Sequence, residues 1–184
     1  KISIDSANLM NKVFEVVEAC KIFKFNKKKY RIMIHPQSYV HSIIRFKNGL
    51  IKMILYNTDM KIPISNTLYK NKDFFLKKYK IDIKILNKLN FEEVKIKKFP
   101  SIKLIKKCLT SGYSTPIIIN GSNEVLVDLF LKGKIGFLDI VKTINKIFKD
   151  KDFKKYAKKR ANTVKDIEII DNWARLKTTN ICIK

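Results

Sequence analysis

Residues 101–148, SIKLIKKCLTSGYSTPIIINGSNEVLVDLFLKGKIGFLDIVKTINKIF, decide the fold class, because their apolar side chains recur every three or four positions. This period is typical of amphipathic helices. Helices are predicted from a cap at Ser101, from about 122 to 133 and from about 137 to 148, with further helix between Tyr156 and Leu176. Residues 101–184 are therefore expected to form an all-α bundle of three or four helices.

Upstream of this bundle the pattern predicts strands as well as helices. Ile2–Asp5 alternates as a strand, and the residues from Ser6 to about Phe23 have the period of an amphipathic helix. Strands are expected at 31–34, 39–46 and 50–56, with a hairpin turn at Lys47-Asn48-Gly49 between the last two and a short helical turn before Leu68.

The chain is thus predicted to be an α+β protein. Residues 1–69 would form a module with helices and a small mixed or antiparallel sheet, and residues 101–184 would form the helical bundle. Residues 70–100 are interpreted as a linker, because the pattern loosens there into a lysine-rich stretch with one extended segment at Ile81, Ile83 and Ile85.

The chain is strongly basic, with 184 residues, 40 Lys and Arg against 16 Asp and Glu, and a net charge of +24. Only four of the basic residues are arginines and 36 are lysines, which occur along the whole sequence. We attribute this excess to A/T-rich codon usage, since nucleic-acid readers usually rely on arginine. No specific nucleic-acid partner is predicted, although weak, salt-sensitive affinity for polyanions is expected.

Three further features bear on location and chain length. Cys20, Cys108 and Cys182 lack disulfide or zinc spacing and are expected to be reduced, as in a bacterial cytoplasm. No apolar run is long enough for a membrane span, so no membrane partner is predicted. The sequence begins with Lys1 inside a predicted strand, and we therefore expect it to derive from a longer chain.

The densest group of chemically useful residues lies between residues 5 and 15. Ser6 offers a hydroxyl group, and Asn11, Lys12 and Glu15 share one edge of the predicted helix because they are three or four positions apart. A phosphate at the helix start and a divalent cation one turn further would both find suitable groups. One carboxylate is too few for Mg²⁺ or Mn²⁺, so partner carboxylates would have to come from elsewhere. The same residues are also typical of a helix cap and a solvated ion pair.

The two histidines, His35 and His41, give no metal site. Six positions apart on an extended strand, they would lie about 20 Å from each other. A buried, hydrogen-bonded histidine is the interpretation that this spacing favours, and no triad can be assembled. The sequence also contains neither a phosphate-binding glycine loop nor a Rossmann fingerprint.

Four segments together resemble the 1-deoxy-D-xylulose 5-phosphate reductoisomerase family. The resemblance extends over the whole chain, in order and at family-like spacing, and corresponds to roughly the carboxy-terminal half of the family's sequence. The matching residues are KISIDSA at 1–7 with MNK at 10–12 and Glu15, IHPQS at 34–38 with Val40-His41-Ser42, Asp59-Met60 with Ile62-Pro63-Ile64, and Asn120 with Asn123-Glu124.

This resemblance implies an NADPH-dependent oxidoreductase of the non-mevalonate isoprenoid pathway, which isomerises and reduces a phosphosugar with Mg²⁺ or Mn²⁺. Residues 1–69 would then be part of the metal- and substrate-binding catalytic domain. Ser6, Asn11 and Lys12 would bind the substrate, chiefly its phosphate, and Glu15 would bind both the metal and the substrate. Glu15 and His41 would be catalytic residues, and Met60 would contact the nicotinamide of NADPH.

In that family two further acidic ligands and the NADPH-binding domain precede the matched region. The resemblance therefore implies that this chain is inactive without them and that the full-length protein is a homodimer. An inactive remnant of the enzyme and a basic polyanion-binding module are the alternatives. An even spread of lysines would favour the enzyme, and one lysine-lined face would favour the binding module.

The sequence departs from the family pattern at several positions. Asn8 replaces a threonine, Val13 replaces a glycine, Thr58 replaces a proline, and the NAANE signature becomes NGSNE at 120–124. A valine at position 13 would either crowd the substrate or face the core. Together with the lysine bias, these changes are typical of an A/T-rich genome such as an endosymbiont's.

Overall fold

The computed structural model describes residues 1–69 and 82–183. Contacts divide the chain into two compact units: Lys1–Arg31 with Lys95–Lys184, and Ile32–Val94. In the described residues the elements are α1 (Ile2–Ala7), α2 (Met10–Phe23), β1 (Met33–Ile34), β2 (Val40–Arg45), β3 (Ile51–Leu55), α3 (Lys61–Leu68), α4 (Ile83–Leu86), β4 (Glu92–Glu93), α5 (Lys103–Thr110), α6 (Thr115–Leu131), α7 (Phe137–Ile147), α8 (Phe153–Lys158) and α9 (Val164–Cys182).

Helix α6 is the most deeply buried element of the first unit. Its apolar side chains pack in two clusters, one with α2, α5 and α7 and the other with α8 and α9. Fully buried members of these clusters include Met10, Val13, Leu104, Ile118, Ile119, Leu126, Ile140, Ile144 and Ile170. The expected α-helical character of the carboxy-terminal region is therefore confirmed.

The helix boundaries in this region agree in part with the prediction. The helix predicted at 137–148 is α7, whereas α6 begins at Thr115, seven residues before the predicted start at Ser122. Pro116 lies in the first turn of α6, where a missing backbone N–H leaves no hydrogen bond unmade, so it does not interrupt the helix. The predicted cap Ser101 instead lies in a 3₁₀ turn, Pro100–Ile102, that precedes α5.

The amino-terminal prediction was wrong in its first element. Ile2–Ala7 is a short helix and not a strand. Leu9 has the left-handed φ of 59° and separates this helix from α2, so the predicted helix starts at Met10 and not at Ser6. The side chain of Asn8 accepts a 2.8 Å hydrogen bond from the Met10 N–H and so caps the start of α2.

The second unit contains two two-stranded antiparallel sheets in its described residues. Strands β2 and β3 form the predicted hairpin, with Ile43 opposite Met53, and Gly49 has the φ of +89° that its turn requires. Strand β1 pairs with β4, with Met33 opposite Glu93. The α+β fold class is therefore confirmed, with the sheets antiparallel.

The two compact units do not end at the predicted domain boundaries, residues 69 and 100. Helices α1 and α2 belong to the same compact unit as the carboxy-terminal bundle, because Met10, Val13 and Val17 pack into its core. In the predicted linker, residues 70–81 lie outside the described residues. Ile83 and Ile85, which were predicted to be extended, lie in helix α4, and β4 follows at Glu92–Glu93. The division into a catalytic part, a linker and a helical domain stays a prediction.

Candidate functional site

Helix α2 presents the charged edge that its sequence spacing predicts. The ammonium group of Lys12 lies 2.8 and 2.7 Å from the two carboxylate oxygens of Glu15. Both side chains are about half exposed, at 43% and 54%. A surface ion pair of this kind adds little to stability, so a ligand that engages either group would disturb the fold little.

The amide groups at the start of α2 are already hydrogen-bonded. Met10 N–H donates to Asn8, and Lys12 N–H donates to the side-chain oxygen of Asn11 at 2.9 Å. An anion bound here would therefore rely on side chains, chiefly the Lys12 ammonium and the Ser6 hydroxyl. Ser6 lies in the last turn of α1, in the same compact unit, and is exposed.

Val13, which replaces a glycine of the family pattern, does not alter the charged edge of α2. Val13 is fully buried and belongs to the main core cluster. Of the two alternatives that the sequence left open, it therefore faces the core and does not crowd the side of α2 that carries Lys12 and Glu15.

His41 and Met60 lie in the second compact unit. His41 is exposed on β2, its ring stacks on Tyr56 with centroids 3.6 Å apart, and its Nδ1 lies 3.0 Å from the Tyr39 carbonyl oxygen. Met60 immediately precedes α3 and is 68% exposed. His35 is partly buried and lies 2.8 Å from the Asn90 carbonyl oxygen, as expected for a structural histidine.

A polar network around the NGSNE segment, residues 120–124, was not predicted from residue spacing. Asp5 is 7% exposed and accepts a 2.8 Å hydrogen bond from the fully buried side chain of Asn123. Glu124 accepts hydrogen bonds from Lys1 and Arg175, and both hold the pKa of its carboxyl below the usual value. The sequence signals for these residues were the family resemblance of the KISIDSA segment, which contains Lys1 and Asp5, and that of the NAANE signature.

The glycine in this segment makes room for Asp171. A Cβ atom at position 121 would lie 2.4 Å from the Asp171 carboxylate oxygen, and Asp171 accepts a hydrogen bond from Arg175. Gly121, which replaces the signature's alanine, therefore leaves room for the Asp171 carboxylate, and Arg175 pairs with both Asp171 and Glu124.

The described residues offer limited chemistry for a metal or a nucleophile. Across 1–69 and 82–183, no three His, Cys, Asp or Glu side chains are grouped so that they could hold a metal ion. The three cysteines are free, and burial raises the pKa of the Cys108 thiol to about 12, so this thiol is not a nucleophile at neutral pH. No helix among these residues is long and apolar enough to cross a membrane.

Comparisons with known proteins agree with this architecture. The family described as the DXP reductoisomerase C-terminal domain matches residues 55–177. The 1-deoxy-D-xylulose 5-phosphate reductoisomerase of Pelagibacter ubique is 42% identical over 183 residues, which cover 100% of this chain and 47% of the relative. The Zymomonas mobilis enzyme is 36% identical over 176 residues, 96% of this chain and 44% of the relative.

Solved structures show the same relationship. The Zymomonas mobilis reductoisomerase in complex with NADPH matches with a TM-score of 0.89 and 34% identity, covering 100% of this chain and 47% of that structure. A DOX-P reductoisomerase in complex with NADPH, fosmidomycin and magnesium matches with a TM-score of 0.91 and 30% identity, covering 98% and 45%.

The fold is thus that of the carboxy-terminal part of an α+β reductoisomerase. This chain belongs to the 1-deoxy-D-xylulose 5-phosphate reductoisomerase family. It spans about half the length of the curated relatives that it matches.

The pKa of Glu124 leads to a prediction about acid stability. Because its folded-state pKa is lowered, Glu124 stabilises the fold above the unfolded-state pKa of about 4.3, and this contribution is lost as the pH falls through the folded-state value. Glu124→Gln should lower the free energy of unfolding by about 1 kcal/mol at pH 7, a figure discounted for partial exposure. The difference from the unsubstituted protein should shrink below about pH 4.

Urea unfolding at pH 7, 5 and 3 measures this difference. The same substitution at the exposed Glu168 of α9 is the matched control and should change the free energy by less than about 0.5 kcal/mol. A Glu124→Gln effect that is equal at pH 7 and pH 3 would show that the charge of Glu124 contributes nothing.

Proposed function

We propose that this chain forms the phosphate- and metal-binding part of a reductoisomerase that converts 1-deoxy-D-xylulose 5-phosphate to 2-C-methyl-D-erythritol 4-phosphate. The Lys12–Glu15 edge of α2, close in sequence to the exposed Ser6, is the observation that carries this proposal. The 42% identity to the Pelagibacter ubique enzyme over the whole chain supports it.

In this proposal the phosphate of the substrate binds to Ser6, Asn11 and Lys12. The ammonium group of Lys12 supplies a positive charge, and Ser6 and Asn11 supply neutral hydrogen bonds. The phosphate would replace Glu15 as a partner of Lys12, which is feasible because their ion pair is half exposed. This exchange would leave the Glu15 carboxylate free to face a cation.

The single carboxylate of Glu15 fits a Mg²⁺ or Mn²⁺ site only as one ligand among several. Mg²⁺ commonly takes one or two carboxylates and completes its octahedral shell with water and substrate oxygens. The remaining protein ligands would come from the part of such an enzyme that this chain does not cover. The cation, when bound, would polarise the substrate's carbonyl and hydroxyl oxygens.

NADPH would be bound mainly by residues outside this chain. Met60 is proposed to contact the nicotinamide, which its 68% exposure permits, and His41 is proposed to support the active site. Assembly as a homodimer and a cytoplasmic location are also part of the proposal.

The lysine distribution favours the enzyme over a polyanion-binding module. Exposed lysines lie on several described helices of both units, including α2, α3, α5, α7, α8 and α9, and are not confined to one element. Their spread is the pattern expected for compositional bias.

The first prediction of this proposal concerns the chain by itself. It should show no phosphosugar-dependent reduction, because the sequence contains no dinucleotide-binding fingerprint. The measurement is the absorbance of NADPH at 340 nm with 1-deoxy-D-xylulose 5-phosphate and Mg²⁺. Oxidation that requires both the substrate and the metal would contradict the proposal.

The second prediction concerns the phosphate. Lys12→Ala should weaken binding of 1-deoxy-D-xylulose 5-phosphate by about 1.5–3 kcal/mol, the scale of one charged hydrogen bond, while binding of the sugar without phosphate should hardly change. Both affinities can be measured by ¹H–¹⁵N NMR titration.

Lys132→Ala is the matched control, because Lys132, which directly follows α6, is also an exposed lysine paired with a carboxylate, that of Asp128 at 2.7 Å. It should leave both affinities unchanged. If Lys12→Ala weakened both ligands equally, Lys12 would serve the fold or the metal and not the phosphate.

The third prediction concerns the metal. In a full-length version of the protein, which would supply the remaining metal ligands, Glu15→Gln should weaken Mn²⁺ binding in the presence of 1-deoxy-D-xylulose 5-phosphate by at least about tenfold, since changes beyond the direct ligands already cost about 10–100-fold. Electron paramagnetic resonance of free Mn²⁺ measures this affinity.

Asp128→Asn is the control, because Asp128 is 58% exposed and paired with a lysine, as Glu15 is. The Mn²⁺ affinity of the Asp128→Asn variant should equal that of the unsubstituted protein. Equal affinities for all three proteins would identify Glu15 as a surface carboxylate without a metal role.

A further inference from the structure

Helix α1, which carries Ser6, is too short to be stable by itself. It has six residues, and an isolated helix of this length is unstable in water. Ile2 is 82% exposed, and Asp5 is the only buried residue of the helix. Ile4 is partly buried and packs against the main core cluster, so the placement of Ser6 depends on this one apolar contact and on the hydrogen bonds from α1 to the rest of its compact unit.

One of these hydrogen bonds involves the residue next to Ser6. The Asn123 side chain, fully buried in α6, donates to the Asp5 carboxylate at 2.8 Å. Such a bond to a charged acceptor in a buried setting is both stronger and more costly to break than one at the surface. It fixes the backbone of Asp5 against α6 and restricts where Ser6 can lie.

Two further hydrogen bonds hold the ends of α1. At its start, Lys1 donates to Glu124, the neighbour of Asn123, and Glu124 is itself held by Arg175 of α9. At its end, the buried Ser101 hydroxyl donates to the carbonyl oxygen of Asn8. All these partners lie in the first compact unit.

Helix α2, by contrast, is held by apolar packing. Met10 and Val13 are fully buried in the core cluster, and Lys12 lies between them in sequence. The position of Lys12 therefore does not depend on the Asp5–Asn123 hydrogen bond in the way that the position of Ser6 does.

From this geometry we infer that Asp5 and Asn123 are positioning residues of the phosphate site, which act on the ligand only through Ser6. This inference rests on the proposed function, because it assumes that Ser6 binds the phosphate. The Asn123 side chain would keep the Ser6 hydroxyl at the position where the phosphate binds.

A double-mutant cycle on the intact chain tests this inference. The affinity for 1-deoxy-D-xylulose 5-phosphate is measured by ¹H–¹⁵N NMR titration, at a temperature where circular dichroism shows every variant folded. Ser6→Ala and Asp5→Ala should each weaken binding by about tenfold, the scale of one hydrogen bond. Because Asp5 acts through Ser6, the double variant should bind no more weakly than Ser6→Ala alone.

Three further variants separate positioning from other roles. Asp5→Asn keeps an oxygen that can accept from Asn123 and should bind within about twofold of the unsubstituted chain. Asp150→Ala removes a carboxylate that pairs with Lys177 of α9 at 2.6 Å, and it should leave the affinity unchanged. Ser101→Ala removes only the hydrogen bond at the Asn8 end and replaces Asp5→Ala if that variant does not fold. It should weaken binding in the same Ser6-dependent way.

The inference is overturned if Asp5→Ala binds normally, if its effect adds to that of Ser6→Ala, or if Asp5→Asn binds as poorly as Asp5→Ala. The last result would mean that the negative charge of Asp5 is required in addition to its ability to accept the hydrogen bond from Asn123. If Ser6→Ala and Lys12→Ala both bind normally, the proposed phosphate site itself is wrong and the inference fails with it. If Lys12→Ala weakens binding while Asp5→Ala does not, only the inference is wrong.

Discussion

Burial of helix α6 is the constraint on which the first compact unit depends. Its residues from Ile118 to Val127 include side chains buried against α5 and α7 on one side and α8 and α9 on the other. Such close packing leaves little room for change, because each buried methylene contributes about 0.8 kcal/mol and voids add to the cost of its removal. The helix therefore provides a rigid support for the elements around it.

The same helix carries polar side chains that connect it to the candidate site. Asn123 is as deeply buried as its apolar neighbours, and burial of an amide is unfavourable unless it is hydrogen-bonded. The hydrogen bond from Asn123 Nδ2 to Asp5 offsets part of that cost and joins α6 to the short helix before α2. A polar group in the core thus specifies where the amino-terminal helix lies, which apolar packing alone would leave less defined.

The sequence pattern predicted an element correctly where the local signals agreed. Helix α7 was predicted almost to the residue because its apolar period is regular, and the hairpin was predicted because Asn48-Gly49 fits its turn. The Lys12–Glu15 ion pair was also predicted from helical spacing. The family assignment, made from the matching segments, is supported by the likeness to the family model and to solved structures.

The errors arose where distant residues decide the structure. Ile2–Asp5 fits a strand period as well as a helical one, and the partner that favours the helix, Asn123, lies 118 positions from Asp5. The early start of α6, at Thr115, was also missed. Neither the buried hydrogen bond nor the Glu124 network could be inferred from spacing.

The most direct test of the account is to identify which residues of this chain respond to ligand. In ¹H–¹⁵N NMR spectra, 1-deoxy-D-xylulose 5-phosphate should shift the signals of Ser6, Asn11 and Lys12, and Mn²⁺ added with it should broaden the signals nearest Glu15. NADPH at the same concentration should leave these signals unchanged. Phosphosugar-induced shifts confined to lysine-rich segments away from α1 and α2 would contradict the account, because they would indicate non-specific anion binding in place of a substrate site.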